Sequence, residues 1–241
     1  LGVHFDELED IGIVSHYKGK PYTGFGHKKY DNGSLWKKVE LLNGLKNGEY
    51  IEYHENGQLK IRCYCKDDKF NGLYKEYHEN GQLEFEANFK DDEKNGLSKQ
   101  YYESGQLKHE GNYVDGSQNG LFKKYYKNGQ LKLEDNYVDG TCNGLSKIYY
   151  ENAQLKSEEN YIDGSVNGLC REYYENGQLK IEKNYIDDEL NGLFKSYHEN
   201  GHIKYEVNYE YHQMNGLFKE HNNHGLLINK GYIENDSSTG I

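Results

Sequence analysis

The sequence predicts an all-β protein: an elongated, single-layer antiparallel sheet of tandem 24-residue β-hairpin repeats, which is an open array or solenoid. Two interleaved series of glycines support this prediction. One series follows asparagine and recurs without insertion at Gly48, Gly72, Gly96, Gly120, Gly144, Gly168, Gly192 and Gly216. The other runs from Gly33 to Gly225 at the same spacing, and Ala153 stands where one of its glycines would be. Such strict spacing indicates modules stacked on their neighbours.

Composition is compatible with this fold although the chain is polar. A hydrophobic content of 34% and a mean hydropathy of -1.08 are by themselves typical of disordered chains. Here the apolar residues recur in fixed columns, and 25 tyrosines can bury large rings while keeping a polar end. The single proline suits a chain of paired strands, because proline cannot donate to a ladder.

Charge limits the classes of partner. A formal net charge of -11 argues against nucleic acids and anionic membranes, which require a basic surface, and is compatible with a basic protein partner. No run of 18 apolar residues occurs, so we expect no membrane-spanning segment. The sequence starts at Leu1 without methionine, so a signal peptide or anchor could have been removed; both a cytoplasmic and a secreted or cell-surface location stay open.

Each repeat reads as one hairpin when position 1 is the residue after the first Asn-Gly. The consensus is L-x-K-x-Y-Y-E-N-G-Q-L-K-x-E-x-N-Y-x-D-G-x-x-N-G. Two turns remain open: a two-residue type I′ loop, which pairs position 6 with position 11, and a three-residue loop with a glycine bulge, which pairs position 5 with position 11. We favour the bulge, because it places the uniform apolar columns at positions 1, 5, 11 and 17 on one face.

The opposite face is expected to carry the lysines of position 12 and the glutamates of position 14. Opposite charges so close together predict a solvated surface with weak ion pairs, and they largely cancel the field of a phosphate-binding lysine track. The members of these two columns are Lys108, Lys132, Lys156, Lys180 and Lys204, with Glu110, Glu134, Glu158, Glu182 and Glu206.

We predict no catalytic, metal or cofactor site. Cys63, Cys65, Cys142 and Cys170 occupy unrelated repeat positions and are expected to fill strand or loop positions as small residues. The Asp and Asn of the inter-repeat loops are ordinary turn formers, although a calcium array is the alternative. Histidines at position 6 replace tyrosine, and no nucleophile elbow or phosphate-binding loop occurs. The predicted domains are an N-terminal partial repeat or cap (1–22), nine repeats (23–238) and a C-terminal end (239–241).

The units 71–83 and 167–179 resemble the bacterial MORN-variant (MORN type 2) repeat, and the resemblance extends from about Pro21 to Ile233. It implies an elongated antiparallel sheet of successive hairpins. Bacterial proteins of this kind are commonly labelled antitoxins or occur among surface and host-interaction proteins, and eukaryotic MORN repeats are associated with membranes and phosphoinositide kinases. No kinase is implied, because the chain has no room for a catalytic domain.

The function that we predict is a non-enzymatic scaffold that binds a protein through a Tyr/Leu-lined face, since tyrosine gives a large contact area at low entropic cost. The alternatives are an antitoxin or immunity protein that neutralises a basic toxin, a membrane or phosphoinositide adaptor, and a surface host-interaction protein. Homo-oligomers through end-to-end or face contacts also stay open. Each contact tyrosine could instead stack on its neighbours. The predicted contacts are Tyr77, Tyr101, Tyr125, Tyr149, Tyr173 and Tyr197.

Overall fold

The computed structural model describes residues 2–11 and 13–234, and within them every regular element is a strand except one 3₁₀ helix, Phe5–Glu7. The all-β fold of tandem hairpins is therefore confirmed. The predicted C-terminal end at 239–241, and positions 235–238 of the repeat region, lie outside the described residues. Contacts divide the chain into two compact units, Leu1–Asn119 and Gly120–Ile241.

The first unit contains a small antiparallel sheet and a run of hairpins. β5 to β8 and β10 to β13 pair in antiparallel succession, β9 pairs with β8, and β1 adds to β5 as a parallel strand. The small sheet joins β2, β3 and β4. The strands are β1 (Val3–His4), β2 (Glu9–Ile11), β3 (Val14–Tyr17), β4 (Lys20–Pro21), β5 (Gly24–Lys29), β6 (Leu35–Leu42), β7 (Leu45–Tyr53), β8 (Leu59–Lys66), β9 (Lys69–Phe70), β10 (Gly72–Tyr77), β11 (Leu83–Lys90), β12 (Glu93–Tyr101) and β13 (Leu107–Val114).

The second unit repeats one pattern of a long hairpin followed by a two-residue strand. Each returning strand pairs with the short strand that follows it and with the first strand of the next hairpin. The strands are β14 (Ser117–Tyr125), which begins in the first unit, β15 (Leu131–Val138), β16 (Thr141–Cys142), β17 (Gly144–Tyr149), β18 (Leu155–Ile162), β19 (Ser165–Val166), β20 (Gly168–Tyr173), β21 (Leu179–Ile186), β22 (Glu189–Leu190), β23 (Gly192–Tyr197), β24 (Ile203–Glu210), β25 (Gln213–Met214), β26 (Gly216–His221) and β27 (Leu227–Ile233).

The turn of each hairpin is the predicted three-residue loop with a glycine bulge. In the hairpin of β10 and β11, the His78 N–H donates to the Gln82 carbonyl at 2.9 Å, and the Gly81 N–H donates back to the His78 carbonyl at 2.9 Å. Gly81 has a φ of +81°, a conformation that glycine adopts without steric cost. Tyr77 pairs with Leu83, as the bulge register requires.

The predicted grouping of columns on faces is wrong beyond the turn. The register shifts once more between Glu76 and Tyr77, so position 4 pairs with position 13 and position 1 with position 16. A shift of one residue moves a side chain to the other face of a sheet. As a result, the tyrosines of position 17 lie on the face opposite to positions 1 and 5. The Leu/Tyr face predicted from the sequence keeps positions 1, 5 and 11 and loses position 17.

The buried face carries positions 2, 13, 15, 17 and 22. In the first unit Phe70, Tyr74, Phe85 and Phe89 form a cluster with ring centroids 5.4 to 5.9 Å apart. In the second unit the Phe122 ring is 7% exposed and lies 6.0 Å from the Tyr137 ring. Position 17 is tyrosine from Tyr113 to Tyr209, whereas the other columns vary from repeat to repeat, and large side chains at position 2 oppose small ones at position 15 in several repeats. The pairs are Tyr50 with Cys63, Tyr74 with Ala87, Phe194 with Val207 and Phe218 with Gly231.

Side-chain hydrogen bonds join each turn to the next repeat. The position 6 hydroxyl donates to the position 5 carbonyl of the following repeat, as from Tyr150 to Tyr173 at 2.8 Å. The His54 and His198 Nε2 atoms lie 2.8 and 3.0 Å from the equivalent carbonyls, so these two histidines replace tyrosine in role as well as in position, whereas the His78 Nε2 has no such partner in the described part of the chain. The Asn side chain at position 8 likewise donates to the next position 7 carbonyl, as from Asn152 at 3.1 Å. Each such bond contributes roughly 1 kcal/mol.

The division into a cap and nine repeats stays a proposal. At the N-terminal side, Val3 pairs with Gly26 and His4 with His27, so β1 covers part of the outer edge of β5. A covered edge is less open to pairing with another chain, which is the role that a cap serves.

Candidate functional site

The outer face is the face that carries positions 1, 3 and 5 of the first strand and positions 14, 16 and 18 of the returning strand. Alternation along each strand and the observed register place these columns together. Three rows result: an aliphatic row of positions 1 and 18, a charged row of positions 3 and 14, and a tyrosine row of position 5. Most of these columns keep one residue type from repeat to repeat, as position 17 alone does among the buried columns.

The aliphatic row is exposed in both units. The position 1 leucines have 39% to 52% of their surface exposed, and the position 18 residues 49% to 52%. Aliphatic side chains that repeat in register on a solvated face provide apolar contact area for a partner. The leucines are Leu73 and Leu97 in the first unit and Leu121, Leu145, Leu169, Leu193 and Leu217 in the second; position 18 contributes Val114, and then Val138, Ile162 and Ile186.

The charged row alternates in sign across the sheet. Each position 14 glutamate is flanked by the position 3 cation of its own repeat and by that of the next, since Glu134 pairs in register with both Lys123 and Lys147. The Arg171 guanidinium bonds to Glu158 and Glu182 at 3.1 Å each. These bonds to two carboxylates raise the pKa of Arg171. The row therefore has little net field, although each charge is fixed in place.

All six predicted contact tyrosines lie on the outer face and are half-buried. The Tyr101 hydroxyl donates to Glu86 Oε1 at 2.9 Å, and the Tyr173 hydroxyl donates to Glu158 Oε1 at 3.1 Å. Burial, followed by the bond to Glu86, raises the pKa of Tyr101 to about 12. The tyrosine row and the position 14 glutamates therefore share one face, and the prediction that they lie on opposite faces is wrong. The register shift is the cause.

The lysines of position 12 are also placed differently from the prediction. The Nζ atoms of Lys132, Lys156 and Lys180 lie 5.3, 5.6 and 5.7 Å from the ring centroids of the position 6 tyrosines of their own repeats. At this distance an ammonium group is attracted to the face of the ring. These lysines therefore pack beside the turns instead of forming a lysine and glutamate surface with position 14.

The residues considered as metal ligands have structural roles. The Asn143 side chain donates to Asp163 at 2.9 Å, which links one inter-repeat loop to the next, and Asp163 has a φ of +49°. Cys63, Cys65 and Cys170 are free thiols on the buried face and at most 5% exposed, and Cys142 is half-buried, which agrees with the prediction that they fill space. Residues 2–11 and 13–234 contain no group of three or more His, Cys, Asp or Glu side chains that could hold a metal ion.

Sequence reasoning missed two features of this face. The first is the run of exposed aliphatic residues at position 18 in four successive repeats, where Val114, Val138, Ile162 and Ile186 are all β-branched although other repeats have lysine or glutamate. That shared chemistry was a usable signal. The second is the pairing of position 14 with two cations, which depends on contacts between repeats and cannot be read from one repeat.

The comparisons with known proteins identify the repeat. A family model described as "MORN repeat variant" matches residues 46–67, 70–91, 94–115, 118–139, 143–163, 166–187 and 190–211. No curated protein matches the chain. One solved structure that matches is described as "Crystal Structure of TcdB2-TccC3-Cdc42"; the alignment is 13% identical with a TM-score of 0.22 and covers 87% of this chain and 14% of that chain. Because that TM-score does not indicate a shared fold, nothing is inferred from it.

A search for membrane-spanning helices gives a negative result. Across the described part of the chain, no helix combines the length and the apolar content needed to cross a bilayer.

Proposed function

The chain belongs to the MORN repeat variant family, whose repeats are generally protein- or lipid-binding modules, and we propose that it binds a protein partner through the outer face, without catalysis. The aliphatic row would supply apolar contact area, the tyrosine row rigid amphipathic contacts, and the charged row orientation. The proposed contact tyrosines are those predicted from the sequence, from Tyr77 to Tyr197, and the exposed leucines are added to them.

One observation carries this proposal: the position 1 leucines are uniform although they are 39% to 52% exposed, whereas most of the buried columns vary. Packing within the sheet explains uniformity among residues that touch each other in every repeat, such as the paired charges. It gives no reason for a leucine at a half-exposed site. Contact with a partner does, because burying the remaining surface of each leucine would contribute about 1 kcal/mol.

The alternating signs of the charged row favour a protein over an anionic membrane. A membrane surface attracts segregated basic residues, whereas Glu158, Arg171 and Glu182 alternate and pair within the sheet. Alternating charges instead suit a protein with its own ordered donors and acceptors. The net charge of -11 also opposes binding to an anionic surface.

The experiment compares capture of partners from the native cell by immobilised protein and by two variants. The first variant replaces Leu145, Leu169 and Leu193 with threonine, which removes apolar area but keeps a strong strand former. We expect a loss of about 3 kcal/mol, or roughly 100-fold in Kd, for the captured partner. The second replaces Tyr125, Tyr149 and Tyr173 with serine and should abolish capture, while circular dichroism shows that the sheet persists.

The matched control replaces Lys132, Lys156 and Lys180 with threonine in the same repeats. These lysines lie beside the turns, so capture should persist. If the control alone eliminates capture, or if the captured ligand is a phosphoinositide vesicle, the outer face does not bind as proposed. A captured basic nuclease would agree with the surface and would specify an antitoxin-like role.

A further inference from the structure

A pocket interrupts the outer face in the first unit. Its volume is about 270 Å³, and it is lined by Arg62, Tyr64, Leu73, Lys75 and Tyr77. Arg62 and Lys75 are cross-strand partners in register on β8 and β10, which belong to consecutive repeats. Tyr64 lies two residues from Arg62, and Leu73 and Tyr77 lie two residues on either side of Lys75, so alternation places all five on one face.

This pocket exists because the repeat that contains β8 departs from the consensus at positions 14 and 16 of its returning strand. Arg62 occupies position 14, where the six following repeats have glutamate, and Tyr64 occupies position 16, where they have asparagine. The charged row therefore places two cations side by side, and the exposed Tyr64 ring, at 49%, replaces a short amide as one wall. The half-exposed Leu73 side chain forms an apolar part of the lining.

The polar groups of the pocket are hydrogen-bond donors, so they suit a ligand that accepts hydrogen bonds. The Tyr101 and Tyr173 hydroxyls donate to the position 14 glutamate of the preceding repeat. For Tyr77 that position is Arg62, which has no acceptor. Within the described residues no hydrogen bond forms at the Tyr77 hydroxyl, so this hydroxyl, the guanidinium and the Lys75 ammonium are three donors around one cavity.

The charges around the pocket favour a ligand that carries a single negative charge. Glu49 Oε1 accepts from the Arg62 Nε at 2.9 Å and from its Nη2 at 2.7 Å, which uses two of the five guanidinium N–H groups. Lys75 lies 3.6 Å from Glu86, a longer contact than those of Arg171. With two carboxylates beside two cations, a doubly charged phosphate would meet repulsion, whereas a carboxylate would complete the alternation of the row.

We propose that this pocket binds the carboxylate of an aspartate or glutamate side chain in a protein partner, next to an apolar partner residue that packs on Leu73 and Tyr64. This inference rests on the proposed function, because the same outer face would hold the partner. The pocket marks one defined point of the repeated face, since the six following repeats have a glutamate at position 14 that repels such a ligand. It therefore fixes which repeat the partner's acidic residue occupies.

The experiment selects binders from a random peptide library against the full chain. We expect peptides enriched in aspartate or glutamate beside apolar residues. Synthetic versions of the selected peptides, and analogues with glutamine or asparagine in place of the acid, are then titrated by calorimetry. The acidic peptide should bind about tenfold more tightly than its amide analogue. Arg62→Glu, which restores the consensus residue, should remove that difference.

The matched control is Lys127→Glu, which also restores a consensus glutamate and changes the net charge by the same amount, but at an exposed turn. It should leave peptide binding unchanged. Arg62→Gln serves as a second variant if the first alters the circular dichroism spectrum, and should also remove the preference for the acid. Inorganic phosphate and phosphatidylserine vesicles are titrated in parallel and should not compete with the peptide.

The outcomes separate the two proposals. Peptides that bind through Leu145, Leu169 and Leu193 without any acidic preference would contradict carboxylate binding by the pocket and would leave the proposed function intact. Peptides that are insensitive to both Arg62 and the leucines, or a library that yields no binder, would count against both. Phosphatidylserine vesicles that bind wild-type protein but not Arg62→Glu would replace the peptide carboxylate by a membrane headgroup and overturn this inference.

Discussion

Replacing Ala153 with glycine should stabilise the protein. Ala153 has a φ of +67° at the turn position where the sister repeats have glycine, and its N–H donates to the Tyr150 carbonyl at 3.0 Å. A left-handed conformation costs a residue with a Cβ about 1–2 kcal/mol, while glycine adds roughly 0.4–1 kcal/mol of entropy to the unfolded chain. The net gain should be about 0.5–1 kcal/mol. Amide hydrogen exchange of that hairpin should slow by up to roughly fivefold.

The reciprocal control is Gly129→Ala in the preceding repeat. Gly129 has a φ of +85°, and a Cβ added there has no neighbour within 4 Å, so the change tests backbone conformation alone. Exchange in that hairpin should accelerate by a similar factor. If Ala153→Gly accelerates exchange, or if Gly129→Ala has no effect, the assignment of a strained left-handed turn position is refuted.

Three further predictions concern stability. Ser146→Ala should lower the free energy of unfolding in urea by about 1.5–3 kcal/mol, because it leaves the buried Asp135 carboxyl without its 2.6 Å hydrogen bond. Ser98→Ala, at the same repeat position, should be nearly neutral, because the Ser98 hydroxyl has no hydrogen-bond partner among the described residues. Equal losses for the two variants would contradict this reasoning. Versions trimmed from either end by whole repeats should stay folded until about three remain, and collapse after loss of one central repeat would indicate long-range packing. Neither EDTA nor a reducing agent should lower the Tm, whereas a fall with EDTA would revive the calcium alternative.

Local features of the fold could be predicted because their causes lie within one repeat. The Asn-Gly spacing specifies the hairpins, the glycine bulge follows from the backbone that glycine permits, and the conformation of Ala153 follows from its place in the series. The equivalence of position 6 histidines with tyrosine was likewise predicted from position, and His54 and His198 make the contact to the next repeat that the tyrosines make.

The faces could not be predicted because one unpredicted shift of register reverses them. Leucines such as Leu145 lie in a uniform column although they are 41% exposed, and positions 2 and 15 of the buried face vary because they compensate in size. The Asp135 carboxyl illustrates the same limit: it is buried at position 15, where residue type varies from glycine to lysine, and its partner Ser146 comes from the next repeat. The tyrosine row and the position 1 leucines beside it were predicted from the sequence, while the charged columns on the same face were not.

Site-specific photo-crosslinking tests most directly whether the outer face binds a protein. A photoreactive amino acid replaces Leu169 in one sample and Lys127, at an exposed turn, in another, and both are irradiated in native lysate. The account predicts that the sample labelled at position 169 forms one discrete protein adduct and that the sample labelled at position 127 forms none. Unlabelled protein in which Leu145, Leu169 and Leu193 are all replaced with threonine should fail to compete for the adduct. An adduct formed only at position 127 would contradict binding through the outer face. So would an adduct for which the triple threonine variant competes as well as wild-type protein does.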